Sequence, residues 1–239
     1  MRNESSAYTN AKSVEIIAAI LVKASADLVK QIEQVKSRLK TVQIDIMDND
    51  FVPNKTIGIE ELRNLPKGIE YEFHWMVQYP ERWISELREQ AGFHGGLHLV
   101  HAEAKMDFGK VRKAVAAIGG KLGIAFNPET SLDKVLAFEK DTNYFLAMTV
   151  HPGFSGQQYI PEVEEKIKIL RSRYPDYDIE VDGGINAETI KRAVAAGANK
   201  IVAASAIFGR GFGEKEIALA IKQLQRAAVA GRVAWLGQE

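Results

Sequence analysis

The 239-residue sequence contains no cysteine, so disulfide bonds and thiolate metal sites are excluded. It also has no excess charge of either sign, because 31 Lys and Arg residues balance 31 Asp and Glu residues. Without a basic field, we expect neither a nucleic-acid partner nor binding to an anionic membrane. A phosphorylated small molecule remains compatible with this balance, since backbone N–H groups can hold phosphate.

Long apolar runs are missing as well. The chain opens with the polar segment 1–6, which lacks the apolar core of a secretion signal. The longest apolar stretch near the start, at 16–22, is far shorter than the roughly 20 residues that span a bilayer. We therefore expect a cytoplasmic protein with no membrane partner. Its apolar share of 46% is sufficient for a sizeable core.

Strand-like and helix-like segments alternate along the chain. Alternating apolar runs predict eight strands, at 16–22, 42–47, 70–77, 96–101, 121–126, 144–150, 178–181 and 200–204. Helical patterns follow them at 25–39, 58–65, 80–90, 107–118, 131–139, 161–174, 187–196 and 215–230. Eight such units at this length predict an α/β protein, a single TIM (β/α)8 barrel. The domain would span 1–239, with its core at about 14–230 and the two tails outside the barrel.

Asp45 and Asp182 each end an apolar run, on the second and seventh predicted strands. The C-terminal strand ends of a barrel share one rim, where the active site lies. Two carboxylates there suit removing a proton from one face of a carbon and returning one to the other. A lone Asp at such a position is commonly a helix cap. Here His74, near the end of strand three, would complete a site for a divalent cation.

Glycine-rich loops follow the sixth and seventh strands, at 153–156 and 183–184. Glycine lets backbone N–H groups approach an anion closely, and barrels commonly bind phosphate in the loops after strands seven and eight. The sequence therefore predicts a phosphate site that includes 183–184 with Ala204 and Ser205. A double glycine by itself is also typical of a simple turn.

A histidine-rich stretch surrounds the fourth strand, with His94, His98 and His101 followed by Glu103. The spacing is similar to that of a metal patch. However, strand alternation places His98 and Glu103 on opposite faces, so we do not expect a metal site there.

Eight motifs together resemble the ribulose-phosphate 3-epimerase family. They lie in order at 45–48, 51–54, 74–77, 126–128, 148–157, 180–185, 196–199 and 204–208. The resemblance implies a barrel enzyme, an isomerase of carbohydrate metabolism in the pentose phosphate pathway. The implied reaction interconverts ribulose 5-phosphate and xylulose 5-phosphate with a metal ion and no organic cofactor.

The resemblance also implies roles for individual residues. Asp45 and Asp182 would be the catalytic acid/base pair. With His74 they would also hold one divalent metal ion, which could be Zn, Fe, Mn or Mg. The residues implied to contact the sugar phosphate are His74, Met47, Met76, Gly153, Phe154, Ser155, Gly156, Gly183, Gly184, Ala204 and Ser205.

The chain departs from the family pattern at positions that the resemblance implies for binding the metal and the substrate. Gln43 lies where the family has a metal-binding histidine, and Ala19 and Val22 lie where the family has serines that meet the substrate. An amide oxygen is a harder and weaker ligand than an imidazole. Three alternatives follow: the metal binds through the Gln43 oxygen, the site has shifted to a harder cation such as Mg or Mn, or the metal is lost.

These departures leave three functions open. The first is a ribulose-phosphate 3-epimerase, and the second is an epimerase of another sugar phosphate such as a hexulose 6-phosphate. The third is a non-catalytic sugar-phosphate-binding relative that has lost the metal. A related decarboxylase branch is disfavoured, because its Asp-x-Lys-x-x-Asp motif is missing and the third strand has no lysine. A homo-oligomer is compatible with the sequence, which does not specify one.

Overall fold

The computed structural model describes residues 12–237. Its strands are parallel, pair in chain order and close into a barrel, which confirms the predicted fold. The strands are β1 Glu15–Ile20, β2 Thr41–Met47, β3 Glu70–Met76, β4 Leu97–His101, β5 Lys121–Phe126, β6 Tyr144–Met148, β7 Asp178–Asp182 and β8 Lys200–Ala203.

The described residues form seven α-helices that cover the barrel. They are α1 Ser25–Val35, α2 Pro80–Ala91, α3 Phe108–Ile118, α4 Leu132–Leu136, α5 Val163–Arg173, α6 Thr189–Ala195 and α7 Glu214–Leu236. A short 3-10 turn, Glu60–Leu62, replaces the helix predicted over 58–65. No helix within residues 12–237 has the length and apolar character needed to cross a bilayer.

The last helix corrects one predicted boundary. α7 ends at Leu236 rather than at residue 230, so much of the tail predicted over 231–239 is helical. Gly231 lies at the start of this continuation and allows α7 to approach α6 closely, because a Cβ there would lie 2.6 Å from the Lys191 carbonyl oxygen in α6. This close approach keeps the end of α7 packed on α6. The predicted N-terminal tail lies outside the described residues as far as residue 11.

Strand alternation separates two sets of side chains. In β2, Ile44 and Ile46 pack in the main core between the barrel and its helices. Met47 belongs instead to a small cluster at the rim, together with Met76 of β3. Because side chains on a strand alternate in direction, Gln43 and Asp45 share the inward face with Met47. The β2–β3 pairing then sets Asp45 directly beside His74.

A polar layer lies inside the barrel below the rim. Glu72 and Glu180 are almost fully buried, and the Tyr144 hydroxyl donates a hydrogen bond to Glu180. Burial raises the pKa of Glu180 to about 8 and the pKa of Glu72 well above its ordinary value. Both glutamates therefore tend to keep their protons at neutral pH, which spares the site above them two additional charges.

His98 lies on the outer face of β4, buried against Trp75. Its ring is parallel to the indole, with 6.0 Å between the ring centroids. Nδ1 accepts a hydrogen bond from Trp75 Nε1 at 3.2 Å, and Nε2 lies 3.1 Å from the Gly95 carbonyl oxygen, to which it donates. Burial lowers the pKa of His98 to about 4, so the ring is neutral in the folded protein.

We predict that protonation of His98 destabilises the fold as the pH falls from about 6.5 towards 4. An unfolded histidine has a pKa near 6.5, so in this window the unfolded chain binds the proton more tightly. The contribution of neutral His98 to the free energy of unfolding is complete above pH 6.5. It decreases by about 2 kcal/mol between pH 7 and pH 4.5. Urea unfolding measures the free energy of unfolding of the wild type and of His98→Gln at pH 7 and at pH 4.5. The loss between the two pH values is then compared between the two proteins. The exposed His94→Gln should behave as the wild type, and equal pH losses in all three proteins would contradict the prediction.

Candidate active site

Three of the predicted residues meet at the rim of the barrel. Ligand atoms of Asp45, His74 and Asp182 all lie within 4.8 Å of one another. His74 Nδ1 is 3.2 Å from Asp45 Oδ1 and 3.6 Å from Asp182 Oδ2. Two carboxylate oxygens and one imidazole nitrogen form a donor set that suits a divalent cation. These residues of β2, β3 and β7 therefore fit a single divalent metal ion.

Gln43 lies between the two acids. Its Nε2 donates to Asp45 Oδ1 at 2.8 Å and to Asp182 Oδ2 at 2.8 Å. The same nitrogen is 3.5 Å from His74 Nδ1. Its Oε1 is buried and has no hydrogen-bond partner among the described residues. One amide group therefore joins the carboxylates of two strands on different sides of the barrel, while its oxygen remains free to accept.

Burial and neighbouring charges set the protonation of this cluster. Burial raises the pKa of Asp45, and the charge of Asp182 adds to this rise, although hydrogen bonds from His74 and Gln43 oppose it. Burial would lower the pKa of His74, but its hydrogen bonds to Asp182 and Asp45 prevail and raise that pKa to about 9. A cation that binds His74 Nδ1 must displace its proton, so cation affinity should rise with pH up to about 9.

A second pair of residues lies behind His74. His101 Nε2 is 2.9 Å from His74 Nε2, and His101 Nδ1 is 3.1 Å from Glu103 Oε2. Burial lowers the pKa of His101 to about 4. Burial of Glu103 is outweighed by its hydrogen bond to His101, and its pKa falls to about 2.

The protonation of this pair fixes the tautomer of His74. Neutral His101 donates its Nδ1–H to Glu103, so its Nε2 accepts from His74 Nε2–H. When a cation displaces the Nδ1 proton, His74 therefore keeps its Nε2–H and offers the Nδ1 lone pair to the cation. From the sequence, no metal site was expected in the histidine-rich stretch. The signal that would have revealed this pair is the two-residue spacing of His101 and Glu103, which places both on one face, whereas His98 lies outside.

A cavity opens above the two aspartates. The empty space here, including open solvent at the mouth, is about 510 Å³. All the residues predicted to contact the sugar phosphate line this cavity, except His74. The residues in the lining are Met47, Met76, Gly153, Phe154, Ser155, Gly156, Gly183, Gly184, Ala204 and Ser205. His74 and Gln43 are fully buried and lie beneath the floor that Asp45 and Asp182 form. Residues that also line the cavity and were not predicted include Leu21, Met148, Val150 and Gln157.

The Gly183-Gly184 turn shapes one wall of this cavity. Both residues have positive φ, at 121° and 64°. A Cβ on Gly183 would lie 2.4 Å from Val150 Cγ2, and one on Gly184 would lie 2.5 Å from the Tyr159 nitrogen. Only glycine fits at these two positions. The described lining of the cavity contains no Lys or Arg, so an anion there would depend on backbone N–H groups.

Comparison with known proteins decides the family. The sequence profile of the Ribulose-phosphate 3 epimerase family matches residues 15–208. The chain belongs to the ribulose-phosphate 3-epimerase family. The cytoplasmic isoform of ribulose-phosphate 3-epimerase from Oryza sativa subsp. japonica is 40% identical over 174 residues, which cover 70% of this chain and 75% of that protein. The ribulose-phosphate 3-epimerase of Methanocaldococcus jannaschii is 38% identical over 227 residues, covering 90% and 92% respectively. The resemblance predicted from the motifs is confirmed.

More distant solved structures share only the fold with this epimerase family member. A 3-hexulose-6-phosphate synthase superposes with a TM-score of 0.65 at 17% identity, covering 90% of this chain and 99% of that one. The orotidine 5'-monophosphate decarboxylase of Sulfolobus solfataricus gives 0.61 at 13% identity, covering 90% and 99%.

The structure places the two positions of the first strand region outside the cavity lining. Val22 packs in the main core outside the barrel. Leu21 lines the cavity instead. Ala19 is buried with Ile17 and Val202 in a small cluster of its own and is not part of the cavity lining. Val22 lies beyond the end of β1 at Ile20, so the alternation of the strand does not fix the direction of its side chain.

We predict that Glu103→Gln weakens divalent cation binding by about 10–100-fold, the usual effect of removing a group that orients a ligand. The amide at position 103 would no longer hold His101 in the tautomer that carries its proton on Nδ1. His74 would then no longer be held in the tautomer that presents its Nδ1 lone pair to a cation. Calorimetric titration with Mn²⁺ at pH 8 measures the affinity, with the melting temperature as a check on folding. Glu129→Gln, at an exposed position paired with His151, is the matched control. Equal affinities in the two variants would contradict the role assigned to Glu103.

Proposed function

We propose that this protein interconverts ribulose 5-phosphate and xylulose 5-phosphate by proton transfer at C3. The observation that carries the proposal is the placement of Asp45 and Asp182, which face one cavity from β2 and β7 and share the NH2 group of Gln43. The names of the curated relatives support the substrate. Family membership supports an isomerase acting on carbohydrates.

The chemistry follows from the two carboxylates. The C3 proton is acidic because the C2 carbonyl accepts the charge as an enediolate. One aspartate removes this proton, and the other, already protonated, delivers a proton to the opposite face. Two close carboxylates tend to share one proton, and the raised pKa of Asp45 agrees with such sharing.

Other residues support this transfer. A divalent cation held by Asp45, His74 and Asp182 would stabilise the enediolate oxygens as a Lewis acid. Met47, Met76 and Met148 line the same cavity, and their apolar side chains keep water away from the reacting carbon. Backbone N–H groups of 183–184 and 153–156, with Ala204 and Ser205, would hold the phosphate. No organic cofactor is required.

A second candidate function rests on Gln43. Its NH2 group lies among the three metal ligands, which favours a protein that binds sugar phosphate without turnover. An epimerase of a hexulose 6-phosphate is weakened as an alternative, because Val22, one of the changes that motivated it, lies outside the cavity. A homo-oligomer, a cytoplasmic location and the absence of a nucleic-acid partner stay predictions.

We predict that Asp45→Asn and Asp182→Asn each lower kcat for ribulose 5-phosphate by about 1,000-fold, because each removes one proton-transfer group. The assay follows xylulose 5-phosphate formation with and without Mn²⁺, Zn²⁺, Fe²⁺ and Mg²⁺, with a hexulose 6-phosphate as competing substrate. Asp50→Asn, an exposed residue of the same rim, is the control for the chemical change. Normal turnover by either variant would exclude the two-aspartate reaction. Binding of ribulose 5-phosphate by the wild type without turnover under any metal would favour the second candidate.

A further inference from the structure

The amide nitrogen of Gln43 occupies the centre of the proposed metal site. It is 2.8 Å from a carboxylate oxygen of Asp45 and 2.8 Å from one of Asp182. It is also 3.5 Å from His74 Nδ1, and these three residues are the ones that offer ligand atoms within 4.8 Å of one another. Gln43 is fully buried, so the amide has no route to solvent. The NH2 group therefore takes the place that a cation would occupy.

The amide and a cation cannot share this point. Divalent cations lie about 2.0–2.6 Å from carboxylate oxygens, so an ion bound to Asp45 and Asp182 would collide with an NH2 group bonded to both. An amide NH2 has no lone pair available for a metal. The oxygen of the same amide does, and Gln43 Oε1 is buried without a hydrogen-bond partner among the described residues.

We propose that the Gln43 amide has two positions, and that cation binding exchanges them. Without a cation, NH2 points inward and bridges Asp45 and Asp182. With a divalent cation bound, the amide withdraws from the point that Nε2 occupies and turns about its Cγ–Cδ bond, so that Oε1 faces the cation as the fourth protein ligand. The inference rests on the proposed function only in that a divalent cation is used at this site.

The two positions have opposite electrostatic roles. When NH2 points inward, its two hydrogens neutralise part of the charge of two buried carboxylates that would otherwise repel each other. If Oε1 pointed inward without a cation, it would face those acceptors with no donor between them. The inward NH2 therefore keeps the empty site assembled, and the cation replaces its function when it binds.

This exchange sets both affinity and selectivity. Cation binding must break two charge-assisted hydrogen bonds and leaves NH2 where Oε1 was, without a partner. The site is therefore weaker than the same site with an imidazole at position 43. Its ligands become three oxygens and one nitrogen, a set that suits Mn²⁺ or Mg²⁺ better than an additional imidazole would.

Nuclear magnetic resonance of the side-chain amide tests the turn directly. In protein labelled with 15N-glutamine, the NH2 signals of Gln43 are those lost in Gln43→Glu. We expect slow hydrogen exchange of these protons without a cation. Saturating Mg²⁺, with occupancy followed by calorimetry on the same sample, should shift the signals and raise their exchange rate at least about tenfold. The NH2 signals of Gln78, outside the site, should not respond. Unchanged Gln43 signals at full Mg²⁺ occupancy would overturn the proposal.

Two variants test the consequence for affinity. Gln43→His should bind Zn²⁺ at least about 100-fold more tightly than the wild type. An imidazole is a metal ligand, whereas the NH2 group of Gln43 competes with the cation for the two carboxylates. Gln43→Glu has nearly the same size but loses both donors, so its melting temperature without a cation should fall and its rise with Mn²⁺ should exceed that of the wild type. Equal Zn²⁺ affinities of Gln43→His and the wild type would contradict the proposal that the Gln43 amide competes with the cation.

The tests of the two amide positions can fail or succeed independently of the test of epimerase activity. None of these measurements uses a sugar phosphate, so failure of turnover with an intact amide response counts against the epimerase alone. If the wild type binds no Mg²⁺ or Mn²⁺ at millimolar concentration while Gln43→His does, the amide blocks the site permanently and the two-position proposal is wrong.

Discussion

The arrangement of the site depends on neutralising two buried carboxylates. Asp45 and Asp182 come from strands on different sides of the barrel, yet one nitrogen of Gln43 lies 2.8 Å from each of them. Leaving such charges without donors would be costly in a dry interior. Three groups share the task, namely the Gln43 amide, the imidazole of His74 and a divalent cation when one is bound. The same need for a positive or donating partner makes the site suitable for stabilising an enediolate.

The surroundings hold this cluster in one arrangement. His101 and Glu103 fix the ring of His74 from behind, while burial keeps Glu180 protonated below it. On the solvent side, Gly183 and Gly184 leave no room for a Cβ. One rim of the barrel therefore carries a cavity lined by methionines, a pair of acids and a neutral glycine wall, where we propose that phosphate binds.

Much of this could be predicted from the sequence, because strands and barrels convert local patterns into position. The strict two-residue period of β2 placed Gln43 and Asp45 on one face, and the shared rim brought in Asp182. The sequence could not show that the Gln43 nitrogen bonds both acids, since that contact depends on the closed geometry of the barrel. The core position of Val22 could not be predicted from alternation, because the residue lies beyond the end of β1 at Ile20. His101 was missed because its partner, His74, is on a neighbouring strand.

The most direct test of the central claim follows the proton at C3. The protein converts ribulose 5-phosphate in heavy water, and the reaction is stopped after a small fraction has reacted. Two separate aspartates predict deuterium at C3 of the xylulose 5-phosphate formed, while the remaining ribulose 5-phosphate is unlabelled. Early deuterium at C3 of the remaining ribulose 5-phosphate, or product formed without any label, would contradict proton transfer by an opposed pair.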